Sequence, residues 1–273
     1  MIDFVNCEPN KQGFDVAVLK IILDIYFGRN SGNAKQWATD IVQGLIDLPM
    51  LSEVFNDDKT LEDLNEFQKN NGINPTLGVI DADTDFALKI ALRNFTFIDN
   101  KTKHVAHMKG SNQCWASCTA MLKGVDLLSV FDKTKDAPEY YFSNGGYRMG
   151  DRQARDEFKK IHGLNEVQAP GANITDLKDL LAKSSIYVDI QCDLLCTTKG
   201  RRVDCTRATG HAVVVSGLVS DNTLYGTYIK ILNPWNPNDY PGVKYNIFWV
   251  SYRQFLNTYR NQQTNGAFVL YKL

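Results

Sequence analysis

Histidine is scarce in this chain, with four residues among 273, and neither sign of charge is in excess, since 30 Lys and Arg against 31 Asp and Glu leave a net charge of −1. That balance gives no electrostatic reason to expect nucleic acid or an anionic membrane surface as a partner. No apolar run approaches the roughly 18 residues of a membrane-spanning helix, so no span is expected. The N-terminus, Met1-Ile2-Asp3-Phe4-Val5-Asn6-Cys7-Glu8-Pro9, lacks a basic region followed by an apolar one, as a Sec-type signal would require. The expectation is synthesis in the cytoplasm and, if the protein leaves, export by a specialised system that needs no cleaved signal. Six cysteines in a chain of this length do not make a disulfide scaffold. The cluster Cys192, Cys196, Cys205 and His211 lacks the CxxC knuckle of structural zinc sites, and a ligated His211 could not act as a base, so no metal and no cofactor are expected. A Cys196–Cys205 link is the more plausible use of those thiols in an oxidising compartment.

What the chain does have is a loop, Met108-Lys109-Gly110-Ser111-Asn112-Gln113, that runs into the apolar helical segment beginning Cys114-Trp115-Ala116-Ser117-Cys118. Cys114 sits at the junction, where first-turn N–H groups and the positive end of the helix dipole favour a thiolate. Cys118 lies one turn further in and is expected to face the core. A nucleophilic thiol needs a base and a residue to orient it. His104 and His107 lie in the polar approach to Cys114, and His162 falls in a basic segment expected to be exposed. His211 opens Ala212-Val213-Val214-Val215-Ser216-Gly217, a Gly-bounded, β-branched run typical of a buried strand. Asn233 closes a second strand before Pro234-Trp235, a suitable place for an amide that fixes an imidazole tautomer.

CWAS before an apolar helix, then GHAVVVSG, then a strand closing on NPW resembles the compact bacterial branch of papain-like cysteine proteases, which includes secreted effector proteases. The resemblance covers about residues 104–273, with a cysteine-to-histidine separation shorter than the roughly 130 to 150 residues of cathepsin-type enzymes. It implies Cys114 as nucleophile, His211 as general base and acid, and Asn233 as the orienting residue. Where relatives carry an oxyanion-hole glutamine, this chain has Met108, so Gln113 or Asn112 is the candidate side-chain donor beside the Cys114 N–H. Trp115 and Trp235 are candidate residues shielding the cleft. Tyr140 to Tyr147 either walls that cleft or fills a packing interface.

The first hundred residues read as helices over 15–27, ended by Gly28, and over 34–46, 60–70 and 83–92, with Thr60 as the cap of the third. LxxFQKxNGI followed by a Gly-Val-Ile-Asp turn and another helix resembles the peptidoglycan-binding-like module of bacterial wall enzymes. Residues 1–94 are thus expected to be a small helical domain, 95–103 a linker, and 104–273 the papain-like domain. In the latter, a helix over 174–181 capped at Asn173 or Thr175, strands over 186–190, 212–218, 228–232, 245–250 and 266–271, and a helix over 252–259 predict an α+β fold with a helical lobe and an antiparallel sheet lobe.

Together these imply a cysteine peptidase cutting a protein or peptide, used as a bacterial toxin delivered into neighbouring cells by a type VI or contact-dependent route and neutralised by an immunity protein. The alternatives are a peptidoglycan stem-peptide amidase, with peptidoglycan as partner, a glutamine deamidase, and a binding module without catalysis.

Overall fold

The computed structural model describes residues 2, 4, 7, 9, 11–29, 51–55, 58–75, 78–108, 111–135, 137–143, 145–168, 173–190, 197–198, 201–202, 211–235, 246–260 and 268–271. Its centre is a mixed assembly of helices on an entirely antiparallel sheet, an α+β architecture. The strands are β1 Thr96–Asp99, β2 Asn165–Gln168, β3 Ile186–Ile190, a two-stranded ribbon of β4 Thr197–Thr198 and β5 Arg201–Arg202, then β6 His211–Ser220, β7 Thr227–Leu232, β8 Ile247–Ser251 and β9 Phe268–Tyr271. The main sheet runs β2-β9-β3-β6-β7-β8, with β1 also paired to β6.

β6 organises the rest because all ten of its residues are buried, as expected of a strand covered on both faces. Along one edge β3 pairs with its first half, from Ile190↔His211 to Ile186↔Val215, and β1 with its second, from Asp99↔Gly217 to Thr96↔Ser220. β7 takes the other edge, and its register shifts between Val215 and Gly217, a bulge at Ser216. Because side chains alternate along a strand, the extra residue reverses which positions point to each face. Ala212 and Val214 before the bulge, and Val219 after it, lie on one face, while Val213, Val215 and Leu218 lie on the other. Gly217 is required there: a Cβ would stand 2.8 Å from the Ile98 carbonyl oxygen and 3.0 Å from the Trp249 ring.

The helices are α1 Phe14–Tyr26, α2 Asp58–Asn70, α3 Ala82–Ala91, α4 Cys114–Lys123, α5 Leu127–Thr134, α6 Arg152–His162, α7 Ile174–Lys183 and α8 Tyr252–Arg260. α7 and α8 cover one face of the sheet with Leu177, Leu181, Tyr252 and Phe255. The opposite face is shared. α4 to α6 pack on Ala212, Val214 and Leu232, and α1 to α3 pack on Val219, Tyr228 and Trp249. Where α1 meets the sheet, charges are buried in pairs: Lys230 Nζ lies 2.7 Å from Glu53 and 3.3 Å from Asp99, and the Tyr228 hydroxyl donates to Asp24.

Several sequence expectations change here. The linker expected over 95–103 contains β1, because Phe95 and Phe97 pack into the core shared with α1. α2 begins at Asp58, so Thr60 is a buried first-turn residue and not the cap. α3 starts at Ala82, one residue before its expected start, and is capped by Asp81, whose carboxylate accepts the Thr84 N–H. Asn173 is the cap of α7, accepting from the Thr175 N–H. His162 is buried, with its ring 4.5 Å from that of Phe158, because it lies on the inward stripe of α6 with Ala154 and Phe158. The helix expected over 34–46 falls outside the described residues, as do Cys192, Cys196 and Cys205 with their zinc or disulfide alternatives. No single helix among the described residues is long and apolar enough to cross a membrane.

Candidate active site

Cys114 is the first residue of α4, and Gln113 before it caps with no side-chain bond, its carbonyl accepting instead from the Ala116 and Ser117 N–H groups. Cys114 is partly exposed, whereas Trp115 to Met121 behind it are buried. The backbone N–H groups of Ala212, Trp115 and Cys114 itself are near enough to the sulfur to pull its pKa down. The Ala212 contact sets the thiol against the start of β6, one residue along from His211.

His211 is held from the other side. Its Nε2 lies 2.9 Å from Asn233 Oδ1, and the same oxygen accepts the Trp235 N–H at 3.2 Å. An atom that accepts from a backbone amide is the oxygen of the carboxamide, so Nε2 carries the proton and Nδ1 is left as the basic nitrogen. The Trp235 ring lies 4.6 Å from the imidazole and seals it from water. Asn233 is itself clamped: its N–H donates to the Asn246 carbonyl, and its own carbonyl accepts from His104 Nε2 at 2.7 Å. His107 completes the clamp, with its backbone N–H on the Pro234 carbonyl and its Nδ1 on that of Met108. Two histidines that the sequence places only in the approach to Cys114 thus line the back of the His211 and Asn233 pair.

The electrostatics weigh against a resting thiolate. The three amides at the sulfur lower its pKa, but burial outweighs them, and with the nearby Asp189 carboxylate it pushes the Cys114 thiol up to about 11. Burial likewise pushes the His211 imidazole down to about 4, with His107 adding to the effect and the Asn233 bond opposing it. At rest the Cys114 sulfur is therefore a neutral thiol and the His211 ring a neutral imidazole. In general a neutral imidazole can act as base for a neutral thiol, taking its proton as the sulfur attacks.

Of the remaining expected residues, Trp115 is not at a cleft. It is buried at the hub of an aromatic cluster with Phe131, Tyr141, Tyr147 and Phe158, and its indole N–H donates to the Gly145 carbonyl. The Tyr140 to Tyr147 segment accordingly fills the packing under α4. The Met108 side chain is exposed, as is Asn112, and Gln113 buries its Oε1 without a hydrogen-bond partner. No group of three or more His, Cys, Asp or Glu side chains suited to a metal occurs among the described residues. Asp189 was missed. The signal was a carboxylate inside the apolar run Ile186-Tyr187-Val188-Asp189-Ile190, where only a partner or a function would keep it.

A scan against protein-family models finds no match for the chain, and a comparison with curated proteins finds no similar one.

Proposed function

We propose that the chain is a cysteine peptidase of the papain-like type, with Cys114 as nucleophile, His211 as general base and acid, and Asn233 as the residue that orients the imidazole. The observation that carries this reading is the 2.9 Å contact from His211 Nε2 to Asn233 Oδ1, made at the strand end whose next amide, that of Ala212, acts on the Cys114 sulfur. In the proposed reaction the thiol proton passes to His211 Nδ1 as sulfur adds to the scissile carbonyl. The Cys114 N–H is a donor for the resulting oxyanion. The imidazolium then returns the proton to the departing amine, leaving a thioester that water hydrolyses with the imidazole again as base.

Delivery into neighbouring bacteria, neutralisation by an immunity protein and contact of the N-terminal helices with peptidoglycan form part of the proposal and are supported by the sequence resemblances. The test is purified protein incubated with a bacterial proteome and, separately, with murein sacculi, each beside Cys114→Ala. New protein fragments made only by the unaltered chain support the peptidase. New muropeptides with an intact proteome move the substrate to wall stem peptides, and no product in either overturns hydrolysis. Expression in the cytoplasm and in the periplasm of a bacterium, each with the Cys114→Ala control, tests the antagonistic role. Harmless expression in both compartments removes it.

A further inference from the structure

α3 buries one stripe of its surface. Thr84, Leu88 and Leu92 follow one another at intervals of one turn, and Leu88 and Leu92 join the core shared with α1 and α2. At about 100° per residue, the side directly opposite that stripe carries Asp83, Phe86, Ile90 and Arg93. All four are exposed, Phe86 at 66% and Ile90 at 49%. Single apolar residues on a surface are ordinary, but two of this size at i and i+4 make one patch. The steps from Asp83 to Phe86, Ile90 and Arg93 are three, four and three residues, the a/d seam of a two-helix coil. Read backwards the series is again three, four and three, so the seam is symmetric in position while its ends carry opposite charge. A second α3 laid antiparallel about a two-fold axis level with Leu88 sets Phe86 of each copy against Ile90 of the other, and Asp83 of each against Arg93 of the other. A parallel pair would instead oppose Asp83 to Asp83 and Arg93 to Arg93. Neither charged side chain bonds to another described residue, whereas the exposed Lys89 is engaged by Asp85 at 2.6 Å. The antiparallel arrangement also brings the positive end of each helix dipole beside the negative end of the other.

We propose that the outward face of α3 is a homodimer interface, formed by antiparallel pairing of this helix with the same helix of a second copy. The proposal is independent of the peptidase reading. Two ten-residue helices in contact bury less than the roughly 1,200 Å² at which standard interfaces begin, so the dimer is a weak one, with a Kd on the order of 100 μM at low salt.

The full chain is examined by sedimentation equilibrium at low salt, from tenfold below that concentration to tenfold above it. The unaltered protein is expected to reach a dimer and stop there, because a two-fold contact closes on itself. Phe86→Ser is expected to remain monomeric. Asp83→Lys opposes like charges at both ends of the seam, as does Arg93→Asp, and each alone is expected to weaken association by roughly tenfold or more. The two singly changed chains mixed in equal amounts are expected to form a heterodimer as tight as the original, since every charge pair across the axis is then opposite in sign. For the same reason the chain carrying both changes is expected to dimerise by itself. These side chains are exposed, so thermal melts of the variants should stay close to that of the unaltered chain. A monomer at every concentration overturns the proposal, as does a dimer indifferent to Asp83→Lys, or a mixture of the two single variants that fails to associate. So does a chain that stays monomeric yet sediments with murein sacculi and loses that binding in Phe86→Ser, a result that would assign this face to the cell wall.

Discussion

Alkylation of Cys114 as a function of pH tests the electrostatics of the site most directly. With its thiol held at about 11, Cys114 at pH 7 is ionised in roughly one molecule in ten thousand, against roughly 3 % for an unperturbed cysteine near 8.5. That is roughly three-hundredfold fewer thiolates. A thiolate of higher pKa is also a better nucleophile, which at a Brønsted slope of about 0.4 to 0.5 returns roughly tenfold. The net expectation is that iodoacetamide labels Cys114 about thirtyfold more slowly than free cysteine at pH 7, and that the rate climbs about tenfold per pH unit until it bends near 11. The assay is the time course of carbamidomethylation of the Cys114 peptide by mass spectrometry, with N-acetylcysteine in the same tube. Asp189→Asn removes a contribution that raises the thiol, so its bend is expected at lower pH. A rate that is already fast and flat below pH 8 would mean a resting thiolate paired with an imidazolium, and the account of burial given for this site would be wrong. Slow labelling is compatible with the proposed activity, in which His211 removes the proton as the substrate is attacked.

Three further outcomes follow from the geometry. Asn233→Ala strips both the His211 Nε2–H and the Trp235 N–H of their acceptor, so hydrolysis should fall by roughly 10- to 100-fold and stability by about 1–3 kcal/mol, read from steady-state kinetics and denaturant melts. His162 is lowered to about 4 by burial, with Lys133 and Lys123 adding to the effect; an unfolded histidine near 6.5 then binds more protons than the folded one, so stability is lost as pH falls from about 6.5 towards 4. That loss amounts to about 3 kcal/mol, and since Asp189 titrates in the opposite sense, the check is the difference between the unaltered chain and His162→Leu across this window, which should flatten the slope. Gly217→Ala forces a methyl against the Ile98 carbonyl and the Trp249 ring, and thermal melts should register a loss of about 1–3 kcal/mol.

The long, strongly patterned elements were legible in the sequence. β6, β7 and α1 are apolar runs with clear terminators, and Gly28, with φ of 64°, ends the turn after α1 where the pattern placed it. His211 and Asn233 could be paired from sequence because each sits at the end of such a run. β1 and β2 were not legible. They are four-residue strands whose pairing partners lie a hundred or more residues away, and no local pattern encodes so distant a neighbour. The burial that opposes a Cys114 thiolate was not legible for a related reason. The helix terminus is a local feature, whereas the burial and the Asp189 charge that oppose it come from β3 and β6. Trp115 beside a nucleophile looked like part of a cleft, but a helix turns about 100° per residue, and that rotation carries the indole into the aromatic packing beneath.

The single long strand that carries His211 at its first residue also bears, past its bulge, the floor on which the N-terminal helices rest. A fragment beginning at residue 104 would bare Val219, Tyr228 and Trp249, leave Lys230 without Glu53 and Asp99, and open the far edge of the strand by losing β1. Truncation is therefore the wrong way to ask what the first hundred residues contribute. Point changes on their outward side, such as at the exposed Phe86 and Ile90 of α3, would pose that question while leaving the scaffold of the thiol whole.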